Sequence, residues 1–111
     1  TIADELFESY RRRPDFIQQF IFPGGMLPTV SMVDEEAGRA GFRCVAYEPF
    51  GASYALTLDQ WRARFMAAWP QIDPLGFDDR FERMWEYYLT YCASGFRFGS
   101  IDVGFFKFVP R

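Results

Sequence analysis

The residue best placed to do chemistry in this sequence is Tyr54. Gly51, Ala52 and Ser53 before it are small, so the chain can turn there from strand into helix and leave the phenol hydroxyl free to point toward a site. From Tyr54 the large residues Leu58, Trp61, Phe65, Trp69 and Ile72 recur at steps of three and four, which places them on one helix face. A second stripe runs through Phe77, Phe81, Met84/Trp85, Tyr88, Cys92 and Phe96. Two such faces could wall a long apolar slot, with Tyr54, Leu58 and Trp61 on one side and Tyr88, Cys92 and Phe96 on the other. The same residues could equally form an ordinary helix–helix core, because a core and an acyl slot share a composition. In that reading Tyr54 needs only a hydrogen-bond partner. Cys92 does not read as a nucleophile, since no cationic residue lies near it in sequence to favour the thiolate.

Composition narrows the function classes. The chain has 111 residues, 12 basic and 15 acidic, with a net charge of −3 and no histidine. That length suits one small domain or a piece of a larger one. Histidine triads and histidine metal sites are excluded within it. The charges are interspersed, and Arg11, Arg12 and Arg13 form the one basic run, which a solvated loop explains as well as a lipid headgroup would. No footprint for nucleic acid is present. Aromatic residues make up 21% of the chain, 14 of them Phe. So heavy a load can fill a core and still leave rings for a ligand, a partner or lipid. Cys44 and Cys92 have neither metal-site spacing nor the density of a disulfide scaffold. Both read as small buried hydrophobes, in keeping with a reducing cytosol. No apolar run reaches the length of a membrane span, and the N-terminus does not read as a signal peptide.

The elements that must position these residues follow in chain order. Thr1 and Ile2 read as the last residues of a strand, and Ala3 to Arg13 as polar and irregular. Pro14 opens a helical turn through Phe16, Ile17 and Phe20. Pro23-Gly24-Gly25 breaks it. Phe16, Phe20, Ile21 and Phe22 read either as an interfacial lip or, slightly preferred, as a plug between helix and sheet. A helix of roughly ten residues follows, with Thr29 or Ser31 as N-cap, Asp34, Glu35 and Glu36 near its positive end, and Gly41 past its C-terminus. Phe42 to Phe50 is a strand, with Phe42, Cys44, Ala46 and Glu48 on one side and Val45 and Tyr47 on the other. Apolar residues on both sides suggest an internal or nearly internal strand. The Tyr54 helix stops near Pro70 and Pro74, a second long helix spans Asp78 to Phe96, and Gly99 ends it. Ser100 to Val109 is the last strand, antiparallel to Phe42–Phe50. Three strands with helices on them fit the closing half of an open α/β sheet.

Four stretches now share a pattern: the opening TI, FIQQFIFPGGMLPT, FGASYALTLDQWRARF, and RFERMWEYYLTYCASGFRFGSIDVGFFKF. In order and over essentially the whole chain they resemble the C-terminal portion of the cyclopropane-fatty-acyl-phospholipid synthases and the related mycolic acid cyclopropane synthases. The resemblance implies an α/β fold, the C-terminal part of a class I (Rossmann-like) S-adenosylmethionine-dependent methyltransferase with its closing antiparallel strands and inserted helices. It implies a parent enzyme that transfers the sulfonium methyl to a cis double bond of a phospholipid acyl chain, with bound bicarbonate as the base for ring closure. Tyr54 and Ile2 match residues of the bicarbonate pocket. The histidine that goes with that isoleucine is expected just before Thr1, and a glutamate and a cysteine further upstream. A positive charge developing on the acyl chain needs a base held in a dry site, and Tyr54 can hydrogen-bond to such an anion while aromatic rings face the charge.

The glycine-rich strand-to-helix turn of a nucleotide-type cofactor site is not found; Gly24-Gly25 follows Pro23 and a helical stretch. Residues 1–111 therefore read as a single C-terminal fragment of the catalytic domain, without its cofactor-binding N-terminal half. Alone it is expected to bind neither S-adenosylmethionine nor bicarbonate, and to be inactive. Leu58, Tyr88, Cys92 and Phe96 are the expected substrate-binding residues. The partners expected are a phospholipid acyl chain at the membrane surface and an N-terminal half or complementing subunit, with a homo-oligomer as an option and no nucleic acid. The place of work is the cytoplasmic side of the inner membrane, peripherally. The rival reading is a non-enzymatic α/β module that binds an apolar ligand or a partner protein through its aromatic face.

Overall fold

A computed structural model describes residues 1–111. Two long helices and a two-stranded antiparallel sheet carry the architecture. We number the elements α1 (Phe7–Arg12), α2 (Val30–Arg39), β1 (Phe42–Pro49), α3 (Gly51–Ile72), α4 (Asp79–Phe98) and β2 (Gly104–Pro110). Short 3-10 turns cover Asp4–Leu6 and Asp73–Leu75, and Ile17–Ile21 forms one π-helical turn. No helix is long and apolar enough to cross a membrane.

α3 and α4 pack along their apolar stripes. Ala55 and Ala93 are almost fully buried, and residues this small let helix backbones approach closely. Leu58 and Leu89, each 4% exposed, form the core with Cys92 and Ala93. Sealing a leucine from water stabilises by about 1.5–3 kcal/mol. Toward the far end of the pair Phe81 stacks on Trp85 with centroids 5.6 Å apart, meets Phe77 at 4.6 Å and faces Phe65 at 6.3 Å. Pro70 sits inside the last turn of α3, so the helix runs past it to Ile72. Asp78 caps α4, its Oδ1 accepting from Phe81 N at 2.9 Å. Gly99 ends α4 at φ +81°, the left-handed conformation that favours glycine. The chain then folds back tightly: a Cβ at Gly95 would meet Ile101 Cγ1 at 2.9 Å.

The two strands pair antiparallel as expected, Phe42 opposite Pro110 and Pro49 opposite Gly104. Other expectations need correcting. Val45 is the extra residue of a β-bulge, because Cys44 faces Phe108 and Ala46 faces Lys107. Adjacent residues of β2 point to opposite faces, so Cys44 and Ala46 do too, and the simple alternation fails. β1 has one neighbour and exposes Phe42 and Val45; it is not an internal strand. The third strand is reduced to a single antiparallel bridge, Ile2 to Ile101. The last strand starts at Gly104, later than Ser100. Ala3 to Arg13 is largely helical, with Glu8 bridging Arg11 and Arg12 along α1, so the arginine run is not a free loop. Thr29 is the N-cap of α2, accepting from Met32 N at 3.1 Å. Glu35 and Glu36 pair with Arg39 rather than lying at the helix start. Cys44 is only partly buried, whereas Cys92 is buried.

Candidate acyl-chain site

The near ends of α3 and α4 do not close on each other. Between them lies a cavity of about 390 Å³, roofed by the segment that precedes α2. Tyr54, Leu58 and Trp61 form one wall; Tyr88, Cys92 and Phe96 form the other; Ile17, Phe22, Met26 and Leu27 cover them. A volume in this range and a lining so apolar suit a hydrocarbon chain. The expected substrate residues Leu58, Tyr88, Cys92 and Phe96 thus meet Tyr54 around one space. Ile2 does not join them. It is 7% exposed and lines an adjoining hollow with Leu6, Ser94 and Phe98. Ile101 and Asp15 are shared by both spaces.

Local chemistry sets the roof. Asp15 Oδ1 accepts from Gln18 N at 2.9 Å while Gln18 Oε1 accepts from Asp15 N at 3.0 Å, a reciprocal cap that starts the π turn. Gln18 Nε2 then donates to Gly25 O at 2.9 Å, closing the loop across the Pro-Gly-Gly break. Leu27 N donates to the Tyr10 hydroxyl at 2.9 Å, and the Tyr91 hydroxyl donates to Asp15 Oδ2 at 3.0 Å. The roof is therefore pinned to α1 and to α4. Phe20 and Phe22 are 51% and 59% exposed while Phe16 and Ile21 are half-buried, so within these residues the cluster plugs the seam only in part.

Tyr54 lies in the first turn of α3, its ring 5.3 Å from Phe96 and 6.0 Å from Trp61. Tyr10 and Tyr91 have committed their hydroxyls to Leu27 and Asp15; Tyr54 has made no such bond and faces the cavity. Burial pushes the Tyr88 hydroxyl's pKa up, with further upward pushes from Cys92 and Tyr54 beside it. Burial also pushes the Cys92 thiol up to about 11, with Asp15 adding to the effect. Cys92 is accordingly a neutral wall residue at physiological pH, not a nucleophile.

Asp102 is a functional neighbour that sequence reasoning missed. Its Oδ1 accepts from Gly51 N at 3.0 Å and from Val103 N at 2.8 Å. It thereby caps α3, whose own N-cap residue, Phe50, offers no side chain to do so. A carboxylate at that positive end is favourable, and it fixes the turn on which Tyr54 rides. No local sequence signal announces a cap supplied from 51 positions away.

The same carboxylate decides what the strand-to-helix turn can hold. A Cβ at Gly51 would collide with Asp102, so that turn is filled by a carboxylate. A bicarbonate fits in part: Tyr54 offers one free donor, while Asp15 and Asp102 have their charges taken up by backbone N–H groups and the Tyr91 hydroxyl. No group of three or more metal-ligating side chains converges anywhere in the chain.

An α/β arrangement with closing antiparallel strands, two long inserted helices and an apolar cavity between them is the corresponding part of a lipid-modifying methyltransferase fold. The family described as mycolic acid cyclopropane synthetase matches residues 2–106, and the chain belongs to that family. Tuberculostearic acid methyltransferase UfaA1 of Mycobacterium tuberculosis is 45% identical over 94 residues, covering 84% of this chain and 22% of that protein. Cyclopropane-fatty-acyl-phospholipid synthase of Escherichia coli K12 is 40% identical over 88 residues, covering 79% of this chain and 22% of that protein. The crystal structure of mycolic acid cyclopropane synthase CmaA1 complexed with SAH and CTAB superposes with a TM-score of 0.81 at 37% identity, over 93% of this chain and 36% of that one. The chain thus spans about a fifth of the length of these curated relatives.

Proposed function

We propose that this chain is the acyl-binding part of an S-adenosylmethionine-dependent enzyme that adds a one-carbon unit to the cis double bond of a phospholipid acyl chain and closes it to a cyclopropane. The single observation that carries this reading is the cavity in which Tyr54, Leu58, Tyr88, Cys92 and Phe96 converge. Membership of the family supports the chemistry, as do relatives named for cyclopropanation and one whose structure holds SAH. In the reading the cofactor-binding elements lie outside residues 1–111, on the same polypeptide or a complementing subunit, and the enzyme works peripherally at the inner membrane.

S-adenosylmethionine, held by elements outside residues 1–111, would supply an electrophilic methyl group, and a bicarbonate beside Tyr54 would supply a base. The chain's own residues do the rest. Leu58, Phe96 and Cys92 hold the hydrocarbon and exclude water. The rings of Trp61, Tyr54, Tyr88 and Phe96 face positive charge as it develops on the acyl chain, each such contact being worth about 0.5–2 kcal/mol. The Tyr54 hydroxyl donates to the anionic base and orients it. Ile2 lines the adjoining hollow and its N–H donates to Pro28 O at 3.0 Å, so it is given no role beside Tyr54 in this reading.

The experiment is transfer of a labelled methyl group from S-adenosylmethionine to phospholipid bearing a cis-unsaturated chain, using the intact polypeptide that carries residues 1–111. The expected product gains CH2 and resists mild hydrogenation. A product that takes up hydrogen assigns the enzyme to methylation, the chemistry for which UfaA1 is named. No transfer at all overturns the reading and returns the chain to the non-enzymatic module. The 111-residue chain alone is expected to give no S-adenosylmethionine binding by calorimetry, and micromolar binding would contradict the division of labour.

A further inference from the structure

Outside the cavity, the outer face of α4 carries a groove lined by Phe16, Phe20, Arg80, Arg83, Met84 and Tyr87. Arg80, Arg83 and Tyr87 are exposed, and so is Phe20. Their spacing on α4, at 80, 83, 84 and 87, is one helix stripe. Across it Phe16 meets Tyr87 edge-on at 4.7 Å and Phe20 at 5.4 Å.

Charge and exposed rings coincide on this stripe; Arg13, Arg43, Arg64, Lys107 and Arg111 also pair with no carboxylate, elsewhere on the chain. The chain is net acidic, and Arg11, Arg12, Arg39, Arg62 and Arg97 are each paired with a carboxylate. Neither Arg80 nor Arg83 forms an ion pair. Asp79 and Glu82 stand beside them in the sequence of α4 without pairing to either, and Glu86 is engaged by Arg62. Two free guanidinium groups flanked by exposed aromatic rings form the pairing that suits a lipid interface. The rings enter the headgroup boundary while the cations meet phosphate.

The groove also lies beside the cavity's lip. At the π turn Phe16 packs on Tyr87 and Phe20 on Phe16, while Ile17 lines the cavity and Phe22 packs near Tyr88 at 6.4 Å.

We infer that Phe16, Phe20, Tyr87, Arg80 and Arg83 form the surface by which the protein docks on an anionic phospholipid bilayer, with the lip of the acyl cavity at the water–lipid boundary. The inference rests on the acyl-binding reading above and adds to it the surface and the charge of its partner.

The test is co-sedimentation of the intact polypeptide with vesicles of phosphatidylcholine alone and of phosphatidylcholine mixed with phosphatidylglycerol. Arg80→Gln/Arg83→Gln should lower partition to the anionic vesicles by about thirtyfold, each basic residue near such a surface being worth about fivefold. It should leave binding to neutral vesicles unchanged and flatten the salt dependence. Arg80→Lys/Arg83→Lys should restore most of the loss. Phe20→Ser should weaken binding to both kinds of vesicle. Unchanged partition of the glutamine variant overturns the inference; if its thermal stability falls at the same time, the groove is instead covered by protein. Methyl transfer by the unsubstituted protein to detergent-dispersed lipid separates the two readings. Arginine-dependent docking without transfer fails the function alone, and transfer without arginine-dependent docking fails this surface alone.

Discussion

The two ends of the α3–α4 pair are built from the same repeat and end up as different things. At the far end Phe65, Trp69, Phe77, Phe81 and Trp85 close on one another. At the near end Tyr54, Leu58, Trp61, Tyr88, Cys92 and Phe96 surround a cavity. Residue type does not separate them, since both stripes are aromatic and aliphatic at steps of three and four. The difference lies in what covers each end. Rings fill the far end from the helices themselves. The near end is spanned by residues 15–27, held off by their bonds to Tyr10 and Tyr91. An apolar stripe becomes a site where a third element props it open.

Substitutions at the two ends should show that contrast most strongly. Phe81→Ala removes the ring that meets Phe65, Trp69, Phe77 and Trp85, and should cost about 3 kcal/mol of stability by denaturant titration. Trp61→Ala, whose ring is half exposed in the cavity wall, should cost about 1 kcal/mol. Equal losses would erase the distinction between core and slot. Next in size is the roof. Tyr91→Phe removes the bond to Asp15 and should cost about 0.5–1.5 kcal/mol, with faster amide exchange confined to residues 15–22. Exchange that quickens across α3 instead would mean the bond props nothing.

The smallest effect is in titration. The Cys92 thiol is raised from 9.0 to about 11 because burial disfavours its thiolate. Its contribution to stability is therefore complete below pH 9 and lost as pH rises through about 11. At pH 8 a soluble alkylating reagent should modify the partly exposed Cys44 well before the buried Cys92. Faster reaction at Cys92 would place a cationic group in the cavity that the structure does not show.

Much of this architecture was legible from sequence for definite reasons. The stripes at 54–72 and 77–96 announce two helices because burial of one face demands that period, and Thr29, Asp78 and Gly99 mark helix ends by their chemistry. α1 was not legible because it is a single short helix whose large side chains are Phe7 and Tyr10 alone, too few to show a period, and it is held by Glu8–Arg11 and Glu8–Arg12 pairs. The bulge at Val45 adds one residue and reverses the faces beyond it, a change the pattern of types does not carry. Asp102 acts across 51 positions. Whether Leu58 and Cys92 line a core or a slot could not be read at all, because the answer depends on where residues 15–27 come to rest.

The account turns on Tyr54, whose hydroxyl makes no hydrogen bond within the chain and borders the apolar cavity. The most direct measurement is methyl transfer by the intact polypeptide with Tyr54→Phe, followed as bicarbonate is added. The ring is kept, so stability should hardly change. Loss of one hydrogen bond to an anion in a dry site should cost about 1.5–3 kcal/mol of transition-state stabilisation, roughly ten- to a hundredfold in rate. The variant should also need more bicarbonate to reach its own maximum. A Tyr54→Phe protein with unaltered rate and unaltered bicarbonate response would make Tyr54 a packing residue and contradict the account.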